Sequence, residues 1–374
     1  MASMDWHSQV SALERYDMIR KINPSSMSNA VEAEQKAFRE ASSKEEYERV
    51  CSEAALAAED QDTSHVDDEP TTDADGSLGI RIGSYQNCRL FADGATSEVY
   101  RSGDIALKVI VTHHNIEPHS PQREIKILQR LRPPCISLHQ AFRDQDDRLV
   151  MAFPYMPYTL AGLLQSGSLK DQQLRSIFRD VLLALRDIHG EGIIHRDLKP
   201  SAVLLKTPNG PAYLSDFGTA WAPDLSASTE PPNDKILDIG TGPYRAPEVL
   251  FGNKSYGTPV DMWALGAMLA EAAREPPTPL FESRAVHEDG NQLGLILSIF
   301  KTLGTPDKET WPEAAEFKVS PFELWTVFPR RPWTAILPDI NPELRDIITM
   351  MVRFDGKRAT AHEILDSSIW DSRG

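Results

Sequence analysis

Between residues 79 and 156 apolar and polar positions alternate in short runs, a period of two that predicts strands. Cys88-Arg89-Leu90-Phe91, Glu98-Val99-Tyr100, Ile105–Val111 and Leu149–Phe153 have the length and composition of strands in an antiparallel sheet. Gln122–Leu131 interrupts them with helical spacing. From about Pro157 the helical period dominates, over Gln172–His189, Val260–Arg274, Asn291–Leu303, Pro342–Phe354 and Ala361–Ile369. A small β-rich part before a larger helical part is α+β organisation. Upstream, Ala30–Glu59 contains no Gly or Pro, and Phe38, Ala41, Tyr47, Val50, Ala54 and Ala57 fall at roughly helical spacing. That run predicts a weakly amphipathic helix, either solvated with a few apolar contacts or dedicated to a partner or to regulation. Residues 1–28 read as loosely ordered, and Gln61–Ser77, acidic and without aromatics, has linker composition.

Charge sharpens that division. The 374 residues carry a formal charge of −16, and residues 1–80 hold 18 acids against 7 bases, so −11 of it lies in the N-terminal extension. A chain this acidic repels phosphate, which argues against nucleic acid or an anionic membrane as partner. Cys51, Cys88 and Cys135 lie far apart with no metal-binding spacing and read as free thiols. No apolar run reaches spanning length and the N-terminus lacks a signal pattern, so a cytoplasmic or nuclear protein is expected.

Three motifs carry chemistry. His195-Arg196-Asp197-Leu198-Lys199-Pro200 follows a helix and the apolar pair Ile193-Ile194, placing a carboxylate and fixed cations within one turn of chain. Phosphoryl transfer asks for that set: a carboxylate to orient a hydroxyl and take its proton, and a cation near the moving phosphate. Tyr213-Leu214-Ser215-Asp216-Phe217-Gly218 then delivers an Asp from an apolar strand to a Gly turn, a place to hold Mg²⁺ beside phosphates. Tyr244-Arg245-Ala246-Pro247-Glu248 completes the order.

In sequence and spacing these motifs resemble the eukaryotic protein kinases over roughly residues 86–370. The resemblance implies a bilobal fold, with residues 1–79 an acidic extension, 80–156 a β-rich N-lobe and 157–374 a helical C-lobe. It implies ATP and Mg²⁺ as cofactors, Asp197 as catalytic base, Lys199 as the γ-phosphate contact, Thr241 as a further catalytic-site residue and Asp216 as metal ligand. Lys108, in Ile105-Ala106-Leu107-Lys108, would pair the α- and β-phosphates, with Glu124 as its partner. Phe91, Val99, Ala106 and Leu204 would enclose adenine, Gly94 would lie in the glycine-rich loop, and Phe153, Pro154 and Met156 would form gatekeeper and hinge. Glu248 with Arg358, and Asp261 with Trp263, match structural positions of the large lobe.

Pro279-Leu280-Phe281, Ile299–Pro306 and Trp311-Pro312 resemble the insert of cyclin-dependent kinases, in the CMGC group. Several positions depart from that pattern. Ala92 and Ser97 stand where glycines are usual, leaving Gly94, and Thr96 replaces an inhibitory Tyr. Ala202 replaces the Asn that binds a second Mg²⁺ and offers no ligand atom. Pro118–Gln122 replaces the start of the cyclin-contact helix, so dependence on a cyclin is not expected. Ile236 stands five residues before Thr241, where an activating Thr is usual, so Arg196 is expected to pair with a carboxylate such as Asp238. These departures resemble the fungal single-subunit kinases that activate cyclin-dependent kinases. The expected function is a serine/threonine kinase whose substrate is the activation loop of another kinase, with proline-directed substrates as an alternative. The rival reading is a pseudokinase used as a binding or scaffolding module, favoured by Ala202 and the sparse glycine loop.

Overall fold

The computed structural model describes residues 36–38, 41, 43–62, 79–94, 96–111, 117–283, 291–322 and 326–370. The expectations for residues 1–28 and for most of the acidic linker lie outside these. The chain divides into two compact units, residues 1–81 with 85–99, and residues 82–84 with 100–374.

In the first unit residues 36–38 are helical as the apolar spacing suggests, but the run is broken before a further helix, α1 (Lys44–Asp62). Ser43 caps it: the Ser43 hydroxyl accepts from the Glu46 N–H at 3.2 Å, and Ala41 is outside helical structure. The helix also runs two residues into the acidic stretch, to Asp62. Ala37, Ala41, Tyr47 and Cys51 form a small buried cluster, with Phe38 edge-on to Tyr47 at 5.6 Å. Strand β2 (Tyr85–Asp93) lies in this unit, and β1 (Ile80–Ile82) and β3 (Ser97–Ser102) begin in it, ordered β1-β2-β3.

The second unit holds β4 (Ile105–Ile110), α2 (Pro121–Leu128), β5 (Gln140–Arg143) and β6 (Leu149–Pro154), with β6 antiparallel to both β4 and β5. Helix α2 ends before the predicted Leu131, with Gln129 as its C-cap. The larger part follows: a three-stranded sheet β7-β8-β9 (Tyr158–Thr159, Val203–Leu205, Ala212–Leu214) and helices α3 (Leu160–Ser166), α4 (Asp171–Gly190), α5 (Pro259–Ala272), α6 (Asn291–Leu303), α7 (Pro342–Met351) and α8 (Ala361–Leu365). The α+β expectation holds. Helix α4 buries Leu174, Ile177, Phe178, Val181, Leu182, Leu185 and Ile188 on one face, the pattern legible in its sequence. Helix α5 is buried on all sides, so it reads as a continuous apolar run. Gly266 at its centre is required by packing, since a Cβ there would lie 2.6 Å from Val352 Cγ2 of the chain leaving α7. Among the described residues no helix is long and apolar enough to cross a membrane.

Candidate active site

Helix α4 ends at Gly190, and buried Ile193 and Ile194 carry the chain into the His195–Ala202 loop. Ile194 and Trp221 exchange backbone hydrogen bonds of 2.9 Å, tying the loop to the segment after Asp216–Gly218. Asp261, in the first turn of α5, holds it from the other side. Its Oδ1 accepts from the Arg196 N–H at 2.9 Å, and its Oδ2 accepts from the His195 N–H at 2.8 Å and from His189 Nε2 at 2.9 Å. Arg196 takes φ of +71°, a left-handed conformation that costs a non-glycine residue about 1–3 kcal/mol. The Asp261 anchors hold it there.

The next residue, Asp197, is 8% exposed. Its Oδ2 accepts from Lys199 Nζ at 2.5 Å and its Oδ1 from the Thr241 hydroxyl at 2.6 Å, while Lys199 Nζ lies 3.4 Å from Thr241 Oγ1. The three predicted catalytic residues therefore form one cluster. Behind it His195 is fully buried, and Nε2 must donate to the Ser215 carbonyl (2.9 Å) because a carbonyl only accepts. That leaves Nδ1 to accept the Asp197 N–H at 3.3 Å. One imidazole thus links Asp197 to Ser215, the residue before Asp216.

Asp216 also sits at positive φ, +64°, and Phe217 beside it is buried against the edge of the His195 ring at 4.9 Å. Lys108 Nζ meets Glu124 Oε1 and Oε2 at 2.8 and 3.0 Å and Asp216 Oδ1 at 3.1 Å. Burial disfavours the lysine's charge, but Glu124 and Asp216 outweigh it and raise the Lys108 pKa. The Lys108 ammonium in turn holds the Asp216 carboxyl well below the usual carboxylate range. Helix α2 is locked to this loop by its own start, where the Ser120 N–H donates to the Gly218 carbonyl at 3.0 Å. Among the described residues no group of three acidic, His or Cys side chains could cage a metal. Asp216, with a side chain 45% exposed, fits Mg²⁺ held mostly by nucleotide phosphates.

Ala202 is buried, and its carbonyl accepts from both the Ser215 N–H and the Ser215 hydroxyl at 2.9 Å. Its methyl adds no donor for a second ion, and Ser201 is exposed. One expectation is corrected. Arg196 does not pair with Asp238, which is 87% exposed and lies 3.4 Å from Arg245. The Arg196 side chain is fully buried, so its partner has to be buried with it, and that partner is Glu230. No spacing rule picks out Glu230 from the sequence.

Of the nucleotide residues, Ala106 and Ile105 pair in register with Phe153 and Pro154 across β4 and β6. The residue after Pro154, Tyr155, donates its N–H to Asp104 O at 2.8 Å, Met156 is buried, and Leu204 lies in β8 opposite Tyr213. Phe91, Gly94 and Val99 belong to the first unit. Phe91 is an exposed residue of β2, Val99 is half-buried in β3, and Gly94 closes the turn between them by donating its N–H to Ser97 O at 3.0 Å.

The protein kinase domain family matches residues 85–369. The chain is 32% identical over 305 residues to the serine/threonine-protein kinase csk1 of Schizosaccharomyces pombe, covering 78% of this chain and 95% of that one. It is 29% identical over 280 residues to the serine/threonine-protein kinase CAK1 of Saccharomyces cerevisiae, covering 62% of this chain and 76% of the relative. Among solved structures, the yeast RNA Pol II CTD kinase CTDK-1 complex contains a chain 26% identical, with a TM-score of 0.63, covering 83% of this chain and 98% of that one.

Proposed function

The chain belongs to the protein kinase family, as an ATP-dependent serine/threonine kinase of the cyclin-dependent-kinase-like kind, and from that premise we propose how its residues divide the chemistry and what they act on. Asp197 orients the substrate hydroxyl and receives its proton. The Thr241 hydroxyl and Lys199 hold the two Asp197 oxygens in place, and Lys199 also faces the moving phosphate. Lys108, steadied by Glu124, binds the α- and β-phosphates. Asp216 would hold Mg²⁺, which would supply positive charge against the phosphates. The observation that carries this reading is the closure of both clusters, Asp197–Lys199–Thr241 and Lys108–Glu124–Asp216, joined through His195. Alignment of that kind supplies much of the rate in phosphoryl transfer.

For the substrate we favour the activation-loop Thr of a cyclin-dependent kinase, on the resemblance to the fungal activating kinases. A second reading, proline-directed phosphorylation, has one observation behind it. Gly240, at φ of +78°, turns its carbonyl onto Arg245, 3.0 Å from Nη2 and 3.3 Å from Nε. That carbonyl is therefore spent, and a following residue without an N–H would lose nothing there. Phosphate transfer to two peptides decides: one carries the Thr of a cyclin-dependent-kinase activation loop before a non-proline residue, the other the same Thr before Pro. We expect the first to be preferred and Asp197→Asn to lose about 10²–10⁴-fold on either. Preference for the Thr-Pro peptide would overturn the substrate assignment, and full activity in Asp197→Asn would overturn the base.

A further inference from the structure

Arg196 is the hub of the region behind the base. Its Nε donates to Thr219 O at 2.5 Å, just after the metal loop, and its Nη1 contacts Tyr256 Oη at 3.1 Å and the Glu230 carboxylate. Glu230 is itself built in. Its Oε1 also accepts the Ile236 N–H at 2.8 Å, its carbonyl accepts from Trp221 Nε1 at 2.9 Å, and its N–H donates to Ser226 O at 2.8 Å. Ile236 is the residue at the place of the usual activating Thr, so the carboxylate reaches the position that a phosphate there would serve.

The charges around it are lopsided. Arg196, Arg123 and Lys235 are all buried, and both Arg123 and Lys235 lie within electrostatic reach of Arg196 and Glu230. Among the described residues Glu230 is the carboxylate that pairs with the Arg196 guanidinium and also acts on Arg123 and Lys235; Glu117, 3.9 Å from Arg123, is half exposed. Arg123 Nε, Arg196 Nη2 and Glu230 Oε2 have no hydrogen-bond partner among the described residues. A single carboxylate thus fills a socket with donors to spare for a larger anion. In kinases generally, phosphorylation orders the activation segment through new Arg–phosphate pairs. Here the acid is already covalently part of the segment.

We propose that Glu230 is a positioning residue that stands in permanently for an activating phosphate, holding Arg196, and through it Asp197 and the metal loop, in the working arrangement. The proposal rests on Asp197 being the base. It also accounts for a kinase with Ile at position 236 whose Lys108–Glu124 and Asp197–Lys199 contacts are both formed.

The test compares Glu230→Gln, Glu230→Asp and Glu230→Ala in the full-length protein, dephosphorylated beforehand. Glu230→Gln keeps the shape and the acceptor for Ile236 but not the charge; kcat should fall roughly 10²-fold, as for a misplaced catalytic group, with KM for ATP within a few-fold. Glu230→Asp should recover part of it. Adding inorganic phosphate to Glu230→Ala should restore activity saturably while leaving the wild type unmoved. A Glu230→Gln enzyme within two-fold of wild type overturns the proposal. So do losses in every variant that track a lowered Tm and show no phosphate rescue, since Glu230 would then be only a structural prop. If Glu230→Ala does not fold, the Gln and Asp variants decide between them. Asp197→Asn run alongside keeps the two questions apart: if it retains activity the base assignment fails, whatever the Glu230 variants do.

Discussion

Replacing Asp261 by Asn removes one charge and changes almost no volume, 65 residues from the loop it holds. The carboxylate now accepts three hydrogen bonds on two oxygens, from His195 N–H, Arg196 N–H and His189 Nε2. An amide has one acceptor. The best it can do is keep its oxygen toward His195 and His189 and turn its NH₂ against the Arg196 N–H, donor facing donor. A hydrogen bond to a charged acceptor contributes about 1.5–3 kcal/mol and a buried donor left unpaired costs about 1–3 kcal/mol, so a net loss of about 3 kcal/mol is expected. The bond lost is the one that pins Arg196 at its strained positive φ. Arg196 would relax toward an ordinary conformation and carry Asp197 with it.

If that loss falls on the position of the base, kcat drops about 10²-fold, since about 1.4 kcal/mol is a factor of ten. KM for ATP should change little, because Lys108 and Glu124 are untouched. Stability should fall as well, by roughly 6–12 °C in Tm at about 2–4 °C per kcal/mol. The assay is steady-state phosphotransfer on one peptide with thermal melting of the same preparations. Acid unfolding supplies a second readout. Burial raises the Asp261 pKa, but the hydrogen bond and charge of His189, then His195 and the Arg196 amide, outweigh it and leave the group below its ordinary value. A depressed folded pKa gives stability that is complete above the unfolded value of about 3.9 and lost as pH falls through the folded one. The stability gap between wild type and Asp261→Asn should therefore be constant near neutrality and close below about pH 4. A kcat within two-fold of wild type at a temperature where the variant is folded would refute the loop-anchor reasoning, as would a gap that closes only on the alkaline side.

Two further outcomes follow from burial. Arg358 meets Glu248 at 2.5 and 2.8 Å with its side chain 1% exposed, so Arg358→Met strands a carboxylate and should cost about 3–5 kcal/mol in urea unfolding. Adding Glu248→Met should recover much of it, and a double variant no more stable than the single one would contradict this. The Cys135 thiol is buried and pushed up to about 12 by burial, then by Asp187 and Glu191. Iodoacetamide at pH 8 should alkylate it roughly 10³-fold more slowly than a free thiol, because the thiolate is the nucleophile. Mass spectrometry showing fast modification of folded protein would count against that burial.

What was legible in the sequence is what chemistry restricts to one residue type at one spacing. His195–Pro200, Asp216–Gly218, Lys108 and Glu124 stood out because the base, metal-ligand and phosphate-cation roles expected of them tolerate few substitutes. Helices α4 and α7 were legible because one face is apolar. The break before α1 was missed, since a helical run of apolar residues says nothing of the Ser43 cap that begins a helix afresh. The partner of Arg196 was missed for a different reason. A pairing across 34 residues is set by which acid is buried with the guanidinium, and Asp238 was nearer in sequence to the expected site but lies at the surface. The double bond of Ser215 to the Ala202 carbonyl was equally invisible, because the acceptor is main chain.

Asp261 and Glu230 act on opposite ends of the same residue. Asp261 grips the Arg196 backbone and fixes the unfavourable φ; Glu230 grips the guanidinium and neutralises it. Neither contact alone places Asp197. A backbone anchor without a side-chain partner would leave a buried cation repelled by Arg123 and Lys235, and a paired side chain without the anchor would let the peptide relax. Arg196 sits immediately before the base and reaches Thr219 beyond the metal loop, so charge at one end and strain at the other are both transmitted to the reacting groups. That geometry explains how the chain can lose the Thr at 236 and keep an ordered catalytic loop: the requirement at this position is a buried anion fixed to the activation segment, and a glutamate meets it.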